Sequence, residues 1–332
     1  EVYPFISFSG VINQNIALLD FDFSKAKETK ESKDVYTEFF LTFDNEIITD
    51  PIWIKNHTNN QYDFIFQDSE NYLYYYSNKG NLYWKKKIDE KIIGDIKQID
   101  TYKNGRLQIS FRTENKFYVL DRNGKEVEKL SFKIDSGEIN NPVSIFDYEK
   151  NRNYRFLFAN DNTIKMFDSN GKRVSGFKPD LFDSRIINSP THIRIDGKDF
   201  IVVQLENNDL KILDRRGRDR IKIDEKIQFS ENSIFSYLKT FTTTDNLGNL
   251  IQINMDGELL KKSLNLSIDN LIDIKNDNLV YISENNLSIK GINVKLPFGR
   301  YSKPKIFNES GNMLIGITNL DESNIYLYQD NG

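Results

Sequence analysis

The best candidate for metal binding is a row of oxygen-bearing side chains at alternate positions. Asp147, Glu149, Asn151 and Asn153 share the segment FDYEKNRNYRF. Carboxylate and amide oxygens on one loop suit a hard cation such as Ca²⁺. However, no glycine stands where such a loop usually bends sharply, and the segment lies where a turn between two strands is expected. A polar hairpin is therefore the favoured interpretation, and a calcium site is the alternative.

Acid–base or nucleophilic catalysis would have to use one of two histidines, His57 and His192. The chain has no cysteine, which excludes thiolate zinc sites and cysteine nucleophiles. His57 lies in the polar segment KNHTNN, and His192 lies at a strand start in SPTHIRI. Neither histidine has the carboxylate spacing that catalysis or metal binding needs. We therefore predict that both are loop or edge residues, that no residue is catalytic, and that no cofactor is bound.

One short segment is locally basic and could engage phosphate, lipid headgroups or an acidic partner. It comprises Arg215, Arg216, Arg218, Arg220 and Lys222. Three aspartates, Asp214, Asp219 and Asp224, interrupt or flank it. The segment also fills a predicted turn between strands. A solvated turn is the favoured interpretation, because exposed charges of this kind contribute little to binding or stability.

The overall charge balance limits the classes of partner. The 332 residues include 45 basic and 49 acidic ones, for a net charge of −4. A general nucleic-acid binder would need a basic stripe that displaces counterions from phosphate. No apolar run reaches the roughly 18 residues that a membrane-spanning helix needs. The chain starts at Glu1 without a signal-like stretch, so we expect a processed chain or a piece of a longer one.

A short polar turn that ends in glycine recurs along the chain. The clearest copies are FYVLDRNG (117–124), TIKMFDSNG (163–171) and DLKILDRRG (209–217). Looser or degraded copies end at Gly80, Gly257, Gly291 and Gly332. The average spacing is about 42 residues, which indicates stacked supersecondary modules of one kind.

The residue types in these turns are those that favour tight turns. Three residues before the glycines stand Ser77, Asp121, Asp168, Asp214, Asn254, Ser288 and Gln329. Aspartate, asparagine and serine favour the first position of a type I turn because their side chains accept backbone N–H bonds. Glycine then takes the left-handed conformation that closes the hairpin. The predicted structural turn residues are Asp121, Gly124, Asp168, Gly171, Asp214, Gly217, Gly80 and Gly257.

The strands before these turns are apolar on both faces. Phe117 and Leu120, for example, point to opposite sides of one strand. Such a strand must be covered on both sides, and each period has room for four short strands. We therefore predict an all-β fold, a β-propeller of seven four-stranded blades, with eight blades as the alternative. The predicted units are about 45–89, 90–135, 136–183, 184–224, 225–269, 270–299 and 300–332.

The N-terminal part is needed to close this ring. The last unit stops before its outermost strand, so we predict that the strand TEFFLTFDN (37–45) completes it. The propeller would then span 36–332. Residues 1–35 would be an N-terminal extension, either an eighth, divergent blade or the remnant of a preceding domain.

Three segments resemble the blades of quinoprotein-like propellers. They are LYYYSNKGNLYWKKKI (73–88), KFYVLDRNGKEVEKL (116–130) and IKMFDSNGKRVSGF (164–177). In that group a tryptophan follows the turn glycine by four residues, as Trp84 follows Gly80; the other units depart from this spacing. The run from PIWIKNHTNN to FDYEKNRNYRF is similar to uncharacterised Bacteroidota cell-envelope propellers, with the similarity covering about 51–224. The outer-membrane assembly scaffold of the same group is a more distant relative.

The resemblance implies an extracytoplasmic bacterial setting, in the periplasm or at the outer membrane. Dehydrogenases of that group use an adjacent cysteine pair and a calcium-bound quinone, and this chain has no cysteine. We predict a non-catalytic scaffold that binds other proteins of a cell-envelope complex. The alternative is a glycan-binding or hydrolytic propeller that uses its central funnel. A third possibility is one domain of a longer envelope protein whose activity lies elsewhere.

Overall fold

The computed structural model describes residues 5–7, 12–13, 16–18, 22–24, 40–49, 52–59, 61–138, 140–178, 181–309, 312–321 and 324–329. All regular elements in these ranges are β-strands, and the strands form nine antiparallel sheets. The predicted all-β class is confirmed.

Five short strands near the N-terminus form two of the sheets. They are β1 (Phe5–Ser7), β2 (Ile12–Asn13), β3 (Ile16–Leu18), β4 (Asp22–Ser24) and β5 (Phe40–Thr42). β1 pairs with β4, whereas β2, β3 and β5 form a sheet in that order.

The other seven sheets follow one another along the chain, and each is a meander of consecutive strands. The first comprises β6 (Ile52–Lys55), β7 (Tyr62–Gln67), β8 (Tyr72–Tyr76) and β9 (Leu82–Lys87). The second comprises β10 (Ile93–Ile99), β11 (Gln108–Arg112), β12 (Lys116–Leu120) and β13 (Phe132–Lys133). The third comprises β14 (Ser144–Phe146), β15 (Arg155–Asn160) and β16 (Thr163–Asp168). The next two comprise β17 (Thr191–Ile195), β18 (Lys198–Gln204), β19 (Leu210–Leu213) and β20 (Asp219–Ile221); and β21 (Phe235–Tyr237), β22 (Thr240–Thr244), β23 (Asn249–Ile253) and β24 (Leu259–Ser263). The last two comprise β25 (Leu271–Lys275), β26 (Asn278–Ser283), β27 (Asn286–Ile289) and β28 (Ile292–Lys295); and β29 (Lys305–Glu309), β30 (Asn312–Asn319) and β31 (Asn324–Gln329).

Each predicted repeat unit from 45–89 to 300–332 contains one of these seven sheets. Five of the sheets have four strands; β14–β16 and β29–β31 have three within the described ranges. In the unit 136–183, the bridge between Phe167 and Arg173 stands in place of a fourth strand.

The prediction for the strand at 37–45 was wrong. Its described part, β5, pairs with β3 in the register Ile16–Thr42, and residues 37–39 lie outside the described ranges. The strand that lies beside β31 is β1. The hydrogen-bonding edge of β5 is taken up by the hairpin β2–β3, which comes earlier in the chain and lacks the glycine turn that marks the other units.

The core lies between neighbouring sheets. In β15, Phe156 and Phe158 pack in one cluster with residues of the preceding sheet, and Leu157 and Ala159 pack in another with residues of the following sheet. Burying one such large side chain contributes about 1.5–3 kcal/mol. Sheets covered on both faces, with an N-terminal strand beside the last strand, form a β-propeller.

The first strands of neighbouring sheets are joined by hydrogen bonds between side chains and backbone groups. Lys55 N donates to Gln98 Oε1 at 2.7 Å, and Gln98 Nε2 donates to Lys55 O at 2.9 Å. Between β25 and β29, Ile306 N donates to Asp273 Oδ2 at 2.7 Å. These bonds satisfy backbone groups that an edge strand would otherwise leave unpaired.

Candidate functional site

The predicted turn residues form one repeated hydrogen-bonded turn. The amides of Gly124, Gly171 and Gly217 donate to the carbonyl oxygens of Asp121, Asp168 and Asp214 at 3.0, 3.0 and 2.9 Å. Gly80 and Gly257 make the same bond to Ser77 and Asn254 at 3.0 and 3.2 Å. All five glycines have φ between 71° and 88°. In each aspartate turn Oδ1 accepts two further backbone N–H bonds.

The glycines also bring neighbouring sheets together. A Cβ on Gly171 would lie 2.6 Å from the Phe132 ring, and one on Gly217 would lie 1.6 Å from Lys178 O. In each case the atom in the way belongs to the outer part of the preceding sheet. The turns therefore serve packing between neighbouring sheets.

The four residues of the calcium hypothesis are separately engaged. Asp147 accepts backbone N–H bonds within its own turn, from Asn151 at 3.1 Å and Arg152 at 2.9 Å. Glu149 pairs with Arg215 at 2.6 Å, and Asn153 Oδ1 accepts from Lys103 Nζ at 2.6 Å. Within the described ranges, no group of three or more Asp, Glu or His side chains is arranged to hold a metal ion. The arrangement is that of a polar hairpin.

His192 lies in a charged cluster around Asp199, a carboxylate that is 3% exposed. His192 Nε2 lies 2.7 Å from Oδ1, Arg215 Nε donates to Oδ2 at 2.8 Å, and Arg194 Nη1 lies 3.8 Å from Oδ1. Burial opposes ionisation of Asp199, but the hydrogen bonds from His192 and Arg215 outweigh it and hold the pKa of this carboxyl below its usual range. These charged residues belong to one sheet, β17–β20, and the imidazole packs against Tyr148 of the preceding unit, with ring centroids 4.9 Å apart.

His57 connects two neighbouring sheets. Its Nδ1 accepts a hydrogen bond from Leu107 N at 3.2 Å. Burial lowers the pKa of His57, and the nearby Arg122 and Arg106 lower it further. The neutral imidazole is therefore favoured, and it acts as an acceptor in a turn-to-turn contact.

The basic segment at 215–222 is largely neutralised by nearby acidic side chains. Arg218 pairs with Asp214 at 2.7 Å, and Lys222 pairs with Asp224 at 2.8 Å. Arg220 lies over the Phe200 ring, with 4.8 Å between the guanidinium carbon and the ring centroid. These contacts favour the interpretation as a turn over that as an anion site.

A different surface has the properties of an interaction site. We call it the connection face: it comprises the connections between successive sheets and the turns between second and third strands, for example residues 181–190 and 205–209. The connection 181–190 is held at both ends. Ile186 N donates to Asp161 O of the preceding sheet at 2.7 Å, and Glu206 N of the following sheet donates to Arg185 O at 2.8 Å. Backbone bridges at the same place recur in five sheets.

The connection face exposes large apolar side chains at its loop tips. They are Leu181, Ile187, Leu247, Ile268, Phe298 and Leu320. Phe298 is 90% exposed and Ile268 is 74% exposed. The sequence analysis missed this set. For Phe298 a signal was present, because the aromatic residue stands between Pro297 and Gly299 in a connecting segment.

An acidic cleft lies on the same face, over the sheets β14–β16 and β17–β20. Its volume is about 480 Å³. It is lined by Glu138, Asp161, Asn162, Asp183, Ser184, Arg185 and Glu206. Arg185 pairs with Glu138 at 2.9 Å, so the cleft keeps an excess of negative charge.

Neither a protein-family model nor a curated protein matches this chain. Solved structures do match it. BamB from Moraxella catarrhalis is 10% identical with a TM-score of 0.64, and the match covers 99% of this chain and 96% of that one. BBS1N, solved in complex with ARL6DN, is 9% identical with a TM-score of 0.59, covering 84% and 90%. The dihydro-heme d1 dehydrogenase NirN, solved with DHE, is 13% identical with a TM-score of 0.53, covering 81% and 60%.

These likenesses concern the fold. BamB is a β-propeller of the quinoprotein-like kind, and the predicted β-propeller fold is confirmed. Among the described residues there is no helix of the length and apolarity needed to cross a membrane.

Proposed function

We propose that this protein is a non-catalytic scaffold that binds other proteins through the connection face, as a subunit or domain of an extracytoplasmic cell-envelope complex. One observation carries the proposal: the connection between β28 and β29 is held at both ends by backbone hydrogen bonds, yet its tip exposes Phe298, and Ile268 and Leu247 are exposed on the same face. Rigid loops with exposed apolar tips bind partners at little entropic cost.

Two further observations support this proposal. BBS1N, a propeller of similar fold, was solved in complex with a protein, ARL6DN. The run over about 51–224 resembles cell-envelope propellers, and the similarity in fold to BamB covers nearly the whole chain. Both support an envelope setting and a role in binding proteins.

The test is purification of the tagged protein from its native membranes under mild detergent, with an untagged strain as the control. We expect an assembly of fixed stoichiometry that survives gel filtration. A monomer that binds an oligosaccharide on a glycan array, with no protein retained, would contradict the proposal and favour a funnel-based glycan binder.

A further inference from the structure

The loop that carries Phe298 is held rigidly on both sides. Leu296 is buried, and its amide donates to Asn285 O at 2.8 Å. Arg300 donates from its backbone N and from Nε to the Asp321 carboxylate, both at 2.8 Å. The buried Tyr301 donates its hydroxyl to Pro297 O at 2.5 Å. The protein therefore holds the loop in one conformation while it leaves the phenyl ring 90% exposed.

A fixed, exposed aromatic ring is suited to be an anchor in a protein interface. Aromatic residues are enriched among the few residues that dominate binding energy, and they act by filling a pocket on the partner. Because this loop is already ordered, little conformational entropy would be lost on binding. Leu320 lies next to the same loop, since its amide donates to Arg300 O at 2.7 Å, and it is also exposed.

The surroundings of Phe298 are basic. Three lysines, Lys295, Lys303 and Lys305, lie near it on the connection face, whereas Arg300 is paired with Asp321 and Glu284 stands in the adjoining turn between β26 and β27. Lys295 ends β28 and Lys305 begins β29, so both lie at the end of the sheets that forms the connection face. Lys295, Lys303 and Lys305 are exposed. A partner would therefore meet positive charge around the ring.

A flat anionic membrane does not fit the whole face. The acidic cleft with Glu138, Asp183 and Glu206 lies on the same face, and lipid phosphates would be repelled there. A folded protein can match a basic sector and an acidic sector at once, because its own charges vary over its surface.

We propose that Phe298 anchors a protein partner that presents an apolar pocket bordered by acidic side chains. This inference rests on the scaffold function proposed above and names the part of the connection face that carries it.

The test uses the partner recovered with the wild-type protein, purified and titrated against variants. We expect Phe298→Ala to weaken binding about tenfold or more. The matched control is Leu260→Ala, which removes a side chain of 63% exposure on the outer strand β24, away from the connection face. It should bind as the wild type does. The double variant Lys295→Glu/Lys305→Glu should also bind more weakly, and its affinity should fall less with added salt.

The outcomes separate this inference from the scaffold proposal. If the assembly forms and Phe298→Ala binds it as the wild type does, the inference is overturned while the scaffold proposal stands. If no assembly is recovered, both fall. Phe298-dependent sedimentation with vesicles of phosphatidylglycerol and phosphatidylethanolamine, without a protein partner, would overturn the inference in favour of a lipid surface.

Discussion

The indole ring of Trp84 lies directly against Gly124, so that a Cβ on this glycine would be 2.8 Å from Cδ2 of the ring. Trp84 Nε1 also donates to Arg122 O at 2.8 Å. The outer strand of one sheet thus docks onto the glycine turn of the next. Backbone geometry and side-chain packing both require glycine here, because its φ is 76°.

Gly124→Ala should therefore destabilise the fold more than its backbone strain alone would. We expect a loss of about 3 kcal/mol in the free energy of unfolding, from strain plus overpacking against Trp84. Gly105→Ala is the matched control, since Gly105 has a φ of 77° but no atom within 4 Å of the added Cβ. Gly105→Ala should lower the free energy of unfolding by only about 1 kcal/mol. Urea unfolding measures both, and equal losses would show that the Trp84 contact contributes nothing.

Asp199→Asn should cost stability in a way that depends on pH. At pH 7 we expect a loss of about 2 kcal/mol, because His192 and Arg215 lose a buried anion but stay partly exposed to water. The pKa of Asp199 is lower in the folded than in the unfolded protein. As the pH falls below about 4, the unfolded chain therefore takes up this proton first, and the advantage of the wild type shrinks.

Unfolding curves of wild type and variant between pH 7 and 3 measure this difference. Asp196→Asn is the control, because the Asp196–Lys239 pair is exposed at both ends and should contribute little. A difference between wild type and Asp199→Asn that stays constant down to pH 3 would refute the assignment of charge to Asp199.

Arg112 is a fully buried cation that is bound by neutral oxygens. Nη1 donates to Asn141 O at 2.8 Å and to Asn160 Oδ1 at 3.0 Å, and Nε donates to Thr113 O at 3.1 Å. Burial lowers the pKa of Arg112 to about 10. Arg112→Met should destabilise by about 3 kcal/mol because it leaves these buried oxygens without donors.

Arg112→Lys is the informative control for that variant. It keeps the charge but offers donors from a single nitrogen, so its melting temperature should lie between those of wild type and Arg112→Met. A Met variant as stable as the wild type would mean that the oxygens find other donors.

Calcium should leave the protein unchanged. Glu149 and Asn153 are engaged by Arg215 and Lys103, and Asp147 closes its own turn. We expect no heat on calorimetric titration with CaCl₂ and no shift of the melting temperature. A saturable heat that disappears in Asp147→Ala would restore the calcium hypothesis for this hairpin.

The predicted repeat units agree with the sheets because the relevant signals are local. A polar residue, two intervening residues and a glycine specify a turn such as Asp121–Gly124, and the short run of apolar residues before it specifies a strand buried on both faces. The strand that lies beside the last one could not be identified in the same way. No glycine turn follows β5 in the sequence, and β1 lies at the opposite end of the chain from β31, so local signals do not identify either pairing.

The amino-acid sequence alone determined the period, the strand-and-turn unit and the need to cover each sheet on both faces, since these follow from steric and hydrophobic preferences of neighbouring residues. The tertiary structure decided which charged side chains meet at Asp199 and which strand pairs with β5. It also decided that Phe298 is exposed on a loop held by hydrogen bonds. Those properties depend on contacts between segments that are distant in the chain, so they cannot be predicted from the local sequence.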